Sequence, residues 1–320
     1  MSRKPTRNRR LMVESLESRS MLAGSISATV TDGVLDIFGD GDLRIHQLPQ
    51  TYTGARPGVK LELLGKSNGN QQTTTINGES SVILTGIKSG ANINAQAMHL
   101  VIGNSSTYGG SPTVRKTSVA LPGIVNITEA FDARMYIENY TKVTINGSSN
   151  GDNILIGGKL SELDVNANAA VNGGGNIVRI VALRAASTVN IDLGGSPTSG
   201  LHQLHMDSAF GSTFNGALNI TTVGHSLVFV GPGSDVHPVT FNGPVAYQGG
   251  GNRDSVRFDG VDINASFVVD LGGGNDGMVF KNAHALGVSL DGGLGTDGLS
   301  IQENTDLGTE TITGFETIER

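Results

Sequence analysis

The chain has 320 residues, a net charge of −7, 46 glycines, and neither cysteine nor tryptophan. The absence of cysteine excludes disulfides, thiolate metal sites and cysteine nucleophiles, and no apolar stretch approaches the roughly 18 residues of a membrane-spanning helix. Glycine accepts the positive φ angles of tight turns, so this composition favours many short strands over long helices.

The first 24 residues differ from the rest of the chain because they are basic, with six Lys or Arg residues against two Glu. The remaining body is therefore acidic, which argues against nucleic-acid binding, since that needs a basic face on the folded domain. Apolar residues at helical spacing allow a short amphipathic helix here. The apolar runs Leu11–Val13 and Met21–Ala23 are too short for an ordinary signal peptide.

The same segment carries a dense set of motif residues, namely Arg10, Leu11, Glu14, Leu16, Glu17, Arg19, Met21, Leu22, Ala23 and Gly24. It resembles the short N-terminal motif of exported proteins of planctomycete bacteria. The resemblance implies export to an extracellular or cell-surface location and implies nothing about activity. We therefore expect residues 1–24 to be a targeting segment, disordered or a short helix, that packs on nothing.

From Ser25 onward, short runs of alternating apolar and polar residues recur between clusters of Gly, Asn, Asp and Ser. Such runs predict β-strands; the clearest are Ser25–Val30, Val34–Phe38, Leu43–Leu48, Val59–Leu64, Met98–Ile102 and Ser226–Val230.

An internal repeat is visible when the C-terminal third is aligned on Asp254, Asp276 and Asp297. Two residues after each stand Val256, Met278 and Leu299, and four residues after each stand Phe258, Phe280 and Ile301. Matched apolar positions at a fixed period indicate stacked coils with like residues in columns. We expect two short strands per coil, joined through a glycine-rich corner.

These patterns predict an all-β parallel β-helix, or β-solenoid, with coils of roughly 20–23 residues. The predicted domains are a targeting segment (1–24) and a solenoid (25–320) that is looser over 25–123 and most regular over 124–320. A β-sandwich also uses many short strands, but the matched columns favour the solenoid. The segment from Gly308 to Arg320 is expected to cap the last coil, with Ile312, Phe315 and Ile318 closing the core.

The glycine-rich corners are the candidate metal sites. Residues 292–300 (GGLGTDGLS) fit the nonapeptide GGxGxDx(apolar)x, and residues 271–279 (LGGGNDGMV) miss only its first glycine. These corners resemble the calcium-binding repeats of RTX-type β-rolls. The resemblance implies Ca²⁺ held by oxygens of Asp254, Asp276, Asp297, Gly272, Gly274, Gly293 and Gly295.

The alternative interpretation is that these aspartates form turns by accepting backbone N–H bonds. Two departures favour it: the motif recurs every 21 or 22 residues instead of nine, and Arg253 places a positive charge in one corner. Both interpretations stay open at this point.

No pattern of catalytic residues is convincing. Asp40, Asp42, Asp152 and the pair Gly224–His225 do not match the spacing of polygalacturonase-like hydrolases. His202 and His205 lie three apart, which on a strand places them on opposite faces. We therefore expect a non-enzymatic structural or adhesive surface protein whose partners are wall or matrix polysaccharide or other surface proteins. The alternative is a carbohydrate-active β-helix enzyme of the polysaccharide lyase or hydrolase type.

Overall fold

The computed structural model describes residues 24–48, 59–65, 67–68, 72–94, 98–103, 118–130, 132–148, 151–167, 175–194, 200–207, 211–231 and 238–320. In these ranges the chain forms strands and turns and no helix, which confirms the all-β class. The predicted head lies outside the described residues except for Gly24. Gly24 does not fit the expectation that the head packs on nothing, because its carbonyl accepts the N–H of Thr75 at 3.0 Å.

The strands are numbered in chain order: β1 (Ser25–Thr31), β2 (Val34–Gly39), β3 (Gly41–Gln47), β4 (Val59–Gly65), β5 (Ser67–Asn68), β6 (Gln72–Thr73), β7 (Thr75–Ile76), β8 (Ser81–Ile87), β9 (Gly90–Asn94), β10 (Met98–Ile102), β11 (Val119–Ala120), β12 (Ile124–Ala130), β13 (Asp132–Gly147), β14 (Asn153–Asn166), β15 (Ile177–Ala185), β16 (Val189–Asp192), β17 (His202–Asp207), β18 (Thr213–Phe214), β19 (Leu218–Thr221), β20 (Ser226–Val230), β21 (Val239–Phe241), β22 (Val245–Gln248), β23 (Asp254–Ile263), β24 (Phe267–Asp270), β25 (Gly273–Gly274), β26 (Gly277–Ala285), β27 (Gly287–Asp291), β28 (Leu294–Gly295), β29 (Gly298–Ile301), β30 (Thr309–Thr313) and β31 (Thr317–Glu319).

One large sheet of 27 strands, mostly parallel, contains nearly all of these elements. Val256 pairs with Met278, and Met278 pairs with Leu299, so the predicted inward column is confirmed. All three side chains are buried. The neighbouring column of Phe258, Phe280 and Ile301 is paired in the same way, because residues two apart on a strand share a face.

Each repeat of the C-terminal region contributes three strand segments, which corrects the expectation of two. The first half of β23 pairs with β20, its second half pairs with β21, and β24 pairs with β22. We call the face with β20 and the first half of β23 the A face. The face with β22 and β24 is the B face, and the face with β21 and the second half of β23 is the C face. The C-face segment was missed because it is only Val261–Ile263, too short to show an alternation of its own.

The repeat length also departs from the expected 20–23 residues. Val256 and Met278 are 22 residues apart, whereas Val228 pairs with Val256 across 28 residues. The longer repeat carries its additional residues between Val230 and Val239, where the next repeat has only Asp259 and Gly260. The strands on either side of these additional residues nevertheless stay paired in register with the next repeat.

The N-terminal region departs from parallel pairing. β1 pairs with β2 antiparallel, and β4 pairs antiparallel with both β3 and β8. Nearly all of the buried apolar side chains nevertheless form one continuous cluster from Ile26 to Leu307, and Tyr136, Leu155 and Val181 form a small separate one. The antiparallel strands and the parallel repeats therefore share a single core.

At the other end, β30 pairs with β27 and β31 pairs with β29. Ile312 and Phe315 pack partly buried against the core, as predicted, but Ile318 is 47% exposed.

We predict that Met278→Asp lowers the free energy of unfolding by more than about 4 kcal/mol, because it removes a buried side chain and places an unpaired charge in the core. Chemical denaturation followed by circular dichroism measures the change. Val279→Asp is the matched control, since the next side chain of β26 faces outward and is only partly buried. Equal losses for the two variants would contradict the inward column.

Candidate functional site

A buried polar residue stands two positions before the first inward apolar residue of each A-face strand in the regular region. These residues share complete or nearly complete burial and follow one another along the sheet: Asp152, Asn176, His202, Ser226, Asp254, Asp276 and Asp297. We call this row the polar ladder.

Side chains of the polar ladder accept backbone hydrogen bonds from the preceding repeat. The N–H of Asp254 donates to Oδ1 of Asp276 at 2.7 Å, and the N–H of Asp276 donates to Oδ1 of Asp297 at 2.7 Å. The N–H of Ser226 donates to Oδ1 of Asp254 at 3.0 Å. Buried backbone N–H groups need acceptors, and at this corner a side chain supplies the acceptor.

The row extends in both directions with different chemistry. Upstream, the N–H of Asp152 donates to Oδ1 of Asn176 at 3.0 Å, and the N–H of Asn176 donates to Nδ1 of His202 at 3.3 Å. Downstream, the N–H of Asp297 donates to Oε2 of Glu316 at 2.6 Å. Glu316, an exposed residue of the last segment, thus supplies the last acceptor of the ladder.

A hydroxyl pair supports the ladder at Asp254. The Oγ of Ser226 donates to Oδ1 of Asp254 at 2.8 Å, and Ser226 Oγ and Tyr247 Oη are 2.8 Å apart. Burial and the neighbouring Asp254 raise the pKa of Tyr247 well above its usual value, so the phenol stays protonated and available as a donor.

The second carboxylate oxygen of the three C-terminal aspartates has no hydrogen-bond partner. Oδ2 of Asp254, Asp276 and Asp297 is buried in each case, and the whole side chains are at most 5% exposed. A buried carboxylate oxygen without a partner is costly. These positions therefore need a proton or a cation from elsewhere.

Asn176 shows what the equivalent atom does in a neutral corner. Its Nδ2 donates to the carbonyl oxygens of Ala167 at 2.8 Å and Leu193 at 3.0 Å. At the Asp254 corner, a Cβ added to Gly249 would collide with both Oδ2 of Asp254 and the carbonyl oxygen of Leu271. At the Asp254 corner, Oδ2 of Asp254 and the carbonyl oxygen of Leu271 therefore lie close together with no donor between them. At the Asn176 corner, the Nδ2 amide donates to the carbonyl oxygens in the corresponding space.

Burial raises the pKa of Asp254 and of Asp276. Desolvation is the largest cause that raises the pKa of Asp254, and it raises the pKa of Asp276 to about 6, with further contributions from the charges of Asp254 and Asp297. The backbone N–H of Asp254 opposes the shift at Asp276, because it stabilises the ionised form.

The structure brings the three predicted aspartates together in consecutive repeats and stacks the predicted glycines beside them. β25 pairs with β28, and the N–H of Leu294 donates to the carbonyl of Gly272 at 2.8 Å. A Cβ on Gly293 would collide with the Gly272 carbonyl, and one on Gly295 would collide with that of Gly274. The glycine spacing therefore has a steric cause in the stacking itself.

Among the described residues, no group of three or more His, Asp or Glu side chains is arranged to hold a metal. His202 is buried in the ladder, whereas His205 is partly exposed and lies beside Phe229. The two histidines therefore lie on opposite faces, as their spacing predicted.

The comparisons with known proteins give one short match. Residues 7–26 match a family model described as "Planctomycete extracellular". This match supports an extracellular or exported planctomycete protein. No curated protein and no solved structure matches the chain.

Within the described part of the chain, there is no helical segment of membrane-spanning length and apolarity.

We predict that Asp276→Asn raises the melting temperature at about pH 8 in a chelator and makes it less dependent on pH, because the amide keeps the Oδ1 acceptor and adds a donor. The folded pKa of about 6 exceeds the ordinary 3.8, so the stability due to this proton is complete below about pH 3.8 and is lost as pH rises through about 6. Thermal melts of both proteins at about pH 5 and 8 measure the difference.

The matched control is Asp262→Asn, which changes a partly buried carboxylate on the C face outside the ladder. A lower melting temperature for Asp276→Asn at about pH 8 would show that the ionised carboxylate is the preferred form.

Proposed function

We propose that this chain is a non-enzymatic extracellular protein with a structural or adhesive role, folded as a parallel β-solenoid. The observation that carries the proposal is the continuous parallel pairing of equivalent residues through successive repeats on the A face, from β13 to β31. Each of these repeats contacts mainly its neighbours, as in repeat proteins that serve as extended scaffolds.

The outer surface supports the same role, because its polar side chains also follow the repeat. Asn190 donates to Asp164 at 2.7 Å and Asn219 donates to Asn190 at 2.8 Å. A second exposed row runs through Asn215, Asn242 and Asn264. Rows of identical groups at a fixed spacing suit contact with a polymer or with another repetitive surface.

The alternative of a polysaccharide lyase or hydrolase is less well supported. Among the described residues of the B face, Lys142 pairs with two carboxylates: its Nζ lies 2.7 Å from Glu162 and also pairs with Asp164. Those hydrogen bonds raise the pKa of Lys142 far above its usual value. A lysine held protonated in this way cannot accept a proton as a general base.

We further propose that Ca²⁺ stabilises the corners at Asp254, Asp276 and Asp297. The unpartnered Oδ2 atoms support this role, because Ca²⁺ is a hard ion that prefers carboxylate and carbonyl oxygens. The carbonyls of Gly272, Gly274, Gly293 and Gly295 are the predicted further ligands. Gly274 and Gly295 are paired in stacked corners, and the carbonyl of Gly272 accepts the N–H of Leu294. A carbonyl oxygen that accepts one hydrogen bond keeps a second lone pair.

At about pH 8, addition of about 10 mM CaCl₂ after removal of chelator is expected to raise the melting temperature by about 2–5 °C. This corresponds to a dissociation constant of roughly 10⁻³ M, typical of extracellular modules, and about 1.4 kcal/mol of stabilisation. Asp276→Asn should lose most of the shift, and Asp262→Asn should keep it. If the melting temperature of the wild type does not rise with Ca²⁺, or rises equally with Mg²⁺, the aspartates serve only as backbone acceptors.

Deletion of residues 1–23 is expected to retain the chain inside the producing planctomycete cell while leaving its melting temperature unchanged, because this short head has too few apolar residues to join the core. Gly24 is kept, since its carbonyl accepts the N–H of Thr75 at 3.0 Å. Cell fractionation with a C-terminal tag measures the location of the chain. The matched control for the motif is a full-length chain that keeps the six basic residues of the head but carries Leu16→Ser and Leu22→Ser. Surface delivery of the deleted chain would contradict the export role.

Release of unsaturated or reducing sugar ends from polysaccharide by the purified chain would contradict the non-enzymatic role.

A further inference from the structure

The outer side of the B face near the N-terminal end contains a trough of about 290 Å³, formed by β1, β2, β9 and β12. Its walls combine hydroxyl, amide and carboxylate side chains with one aromatic ring, and its main members are Thr29, Asp36, Phe38, Asn92, Asn126 and Thr128. The trough lies on the opposite side of the strands from the core, since Phe38 and Asn92, which line it, are exposed, whereas Leu35 and Ala91 on the same strands are buried.

A directed row of hydrogen bonds forms the floor. Nδ2 of Asn126 donates to Oδ1 of Asn92 at 3.0 Å, and Nδ2 of Asn92 donates to Oδ1 of Asp36 at 2.9 Å. Each bond uses one of the two N–H groups of its amide. The second N–H of each amide and the Asp36 carboxylate leave alternating donors and acceptors for a polyhydroxylated ligand.

Phe38 gives the trough an apolar platform. Its side chain is 61% exposed, although phenylalanine is usually buried. Its cross-strand neighbours are Ser27 and Asn94, both smaller than the ring. A sugar ring has an apolar C–H face that packs on an exposed aromatic ring, while its hydroxyls reach the amides beside it.

The negative charge of the trough favours neutral polymers over acidic ones. Among the described residues that line it, Asp36 is the only ionisable one, and none is Lys or Arg. A polymer of uronic acids or phosphates would meet an uncompensated carboxylate in an acidic protein. A neutral polysaccharide meets no such penalty.

The row continues beyond the trough along the same sheet. Asn126 pairs with Thr144, Thr144 with Asp164, and Asp164 with Asn190. A polysaccharide that extends beyond the trough in this direction would lie across further strands. There it would meet polar side chains that are separated by the distance between neighbouring strands. Longer oligosaccharides should therefore bind more tightly than short ones.

We propose that this trough binds a neutral polysaccharide, with one sugar stacked on Phe38 and its hydroxyls bonded to Asp36, Asn92 and Asn126. The assignment rests on the proposed extracellular adhesive role and names the class of partner for it. It adds a site that is separate from the polar ladder, which faces the interior.

The test is affinity electrophoresis of the full chain in gels that contain a soluble neutral polysaccharide: mixed-linkage β-glucan, galactomannan or dextran. Polygalacturonate is the acidic comparison. Wild type should be retarded by at least one neutral polymer and not by polygalacturonate. Phe38→Ala and Asn92→Ala should each weaken binding about tenfold, the change expected from loss of one good contact, with unchanged melting temperatures.

Tyr140→Ala is the matched control, because Tyr140 is another exposed aromatic residue, 68% exposed, outside the trough. Absence of retardation by all three neutral polymers, or retention of binding in Phe38→Ala and Asn92→Ala, would overturn the proposal. Surface location of the wild-type chain in cell fractionation is measured separately. A correctly exported chain without glycan binding would therefore reject the site and leave the extracellular structural role standing.

Discussion

Backbone pairing between successive repeats is the constraint on which the rest of the structure depends. Because the strands pair in parallel and in register, a residue in one repeat lies beside its equivalent in the next. Inside, this aligns Phe214 with Phe241 and Phe258 with Phe280, whose ring centroids are 5.2 and 5.8 Å apart. Outside, it aligns the amides into hydrogen-bonded rows. One register thus arranges both the core and the surface.

Corners are where that pairing is interrupted, and there side chains take over from backbone acceptors. The polar ladder satisfies buried N–H groups that would otherwise have no partner, and it does so with residues as different as Asn176, His202 and Asp276. Where the acceptor is Asp254, Asp276 or Asp297, the fold gains a strong acceptor but also buries a second oxygen that has no hydrogen-bond partner. The link between this corner and protons or Ca²⁺ follows from that second oxygen.

The sequence predicted the columns well and the corners only in part. The columns of Val256 and Phe258 were predictable because strand alternation and repeat period agree there. The ladder was found only at its three aspartates, since upstream it changes residue type at Asn176, His202 and Ser226; the usable signal was a polar residue two before each inward apolar one. The trough could not be predicted, because Asp36, Asn92 and Asn126 are far apart in sequence and meet only through strand order.

The uneven chemistry of the ladder also divides the molecule along its length. The neutral acceptors Asn176, His202 and Ser226 occupy the middle, whereas the three carboxylates occupy consecutive junctions near the C-terminus. In a protein whose repeats contact mainly their neighbours, each junction opens with its own free energy. Under tension on the chain, the C-terminal junctions would open first when Asp254 and Asp276 are ionised, whereas the junctions in the middle of the molecule would stay closed.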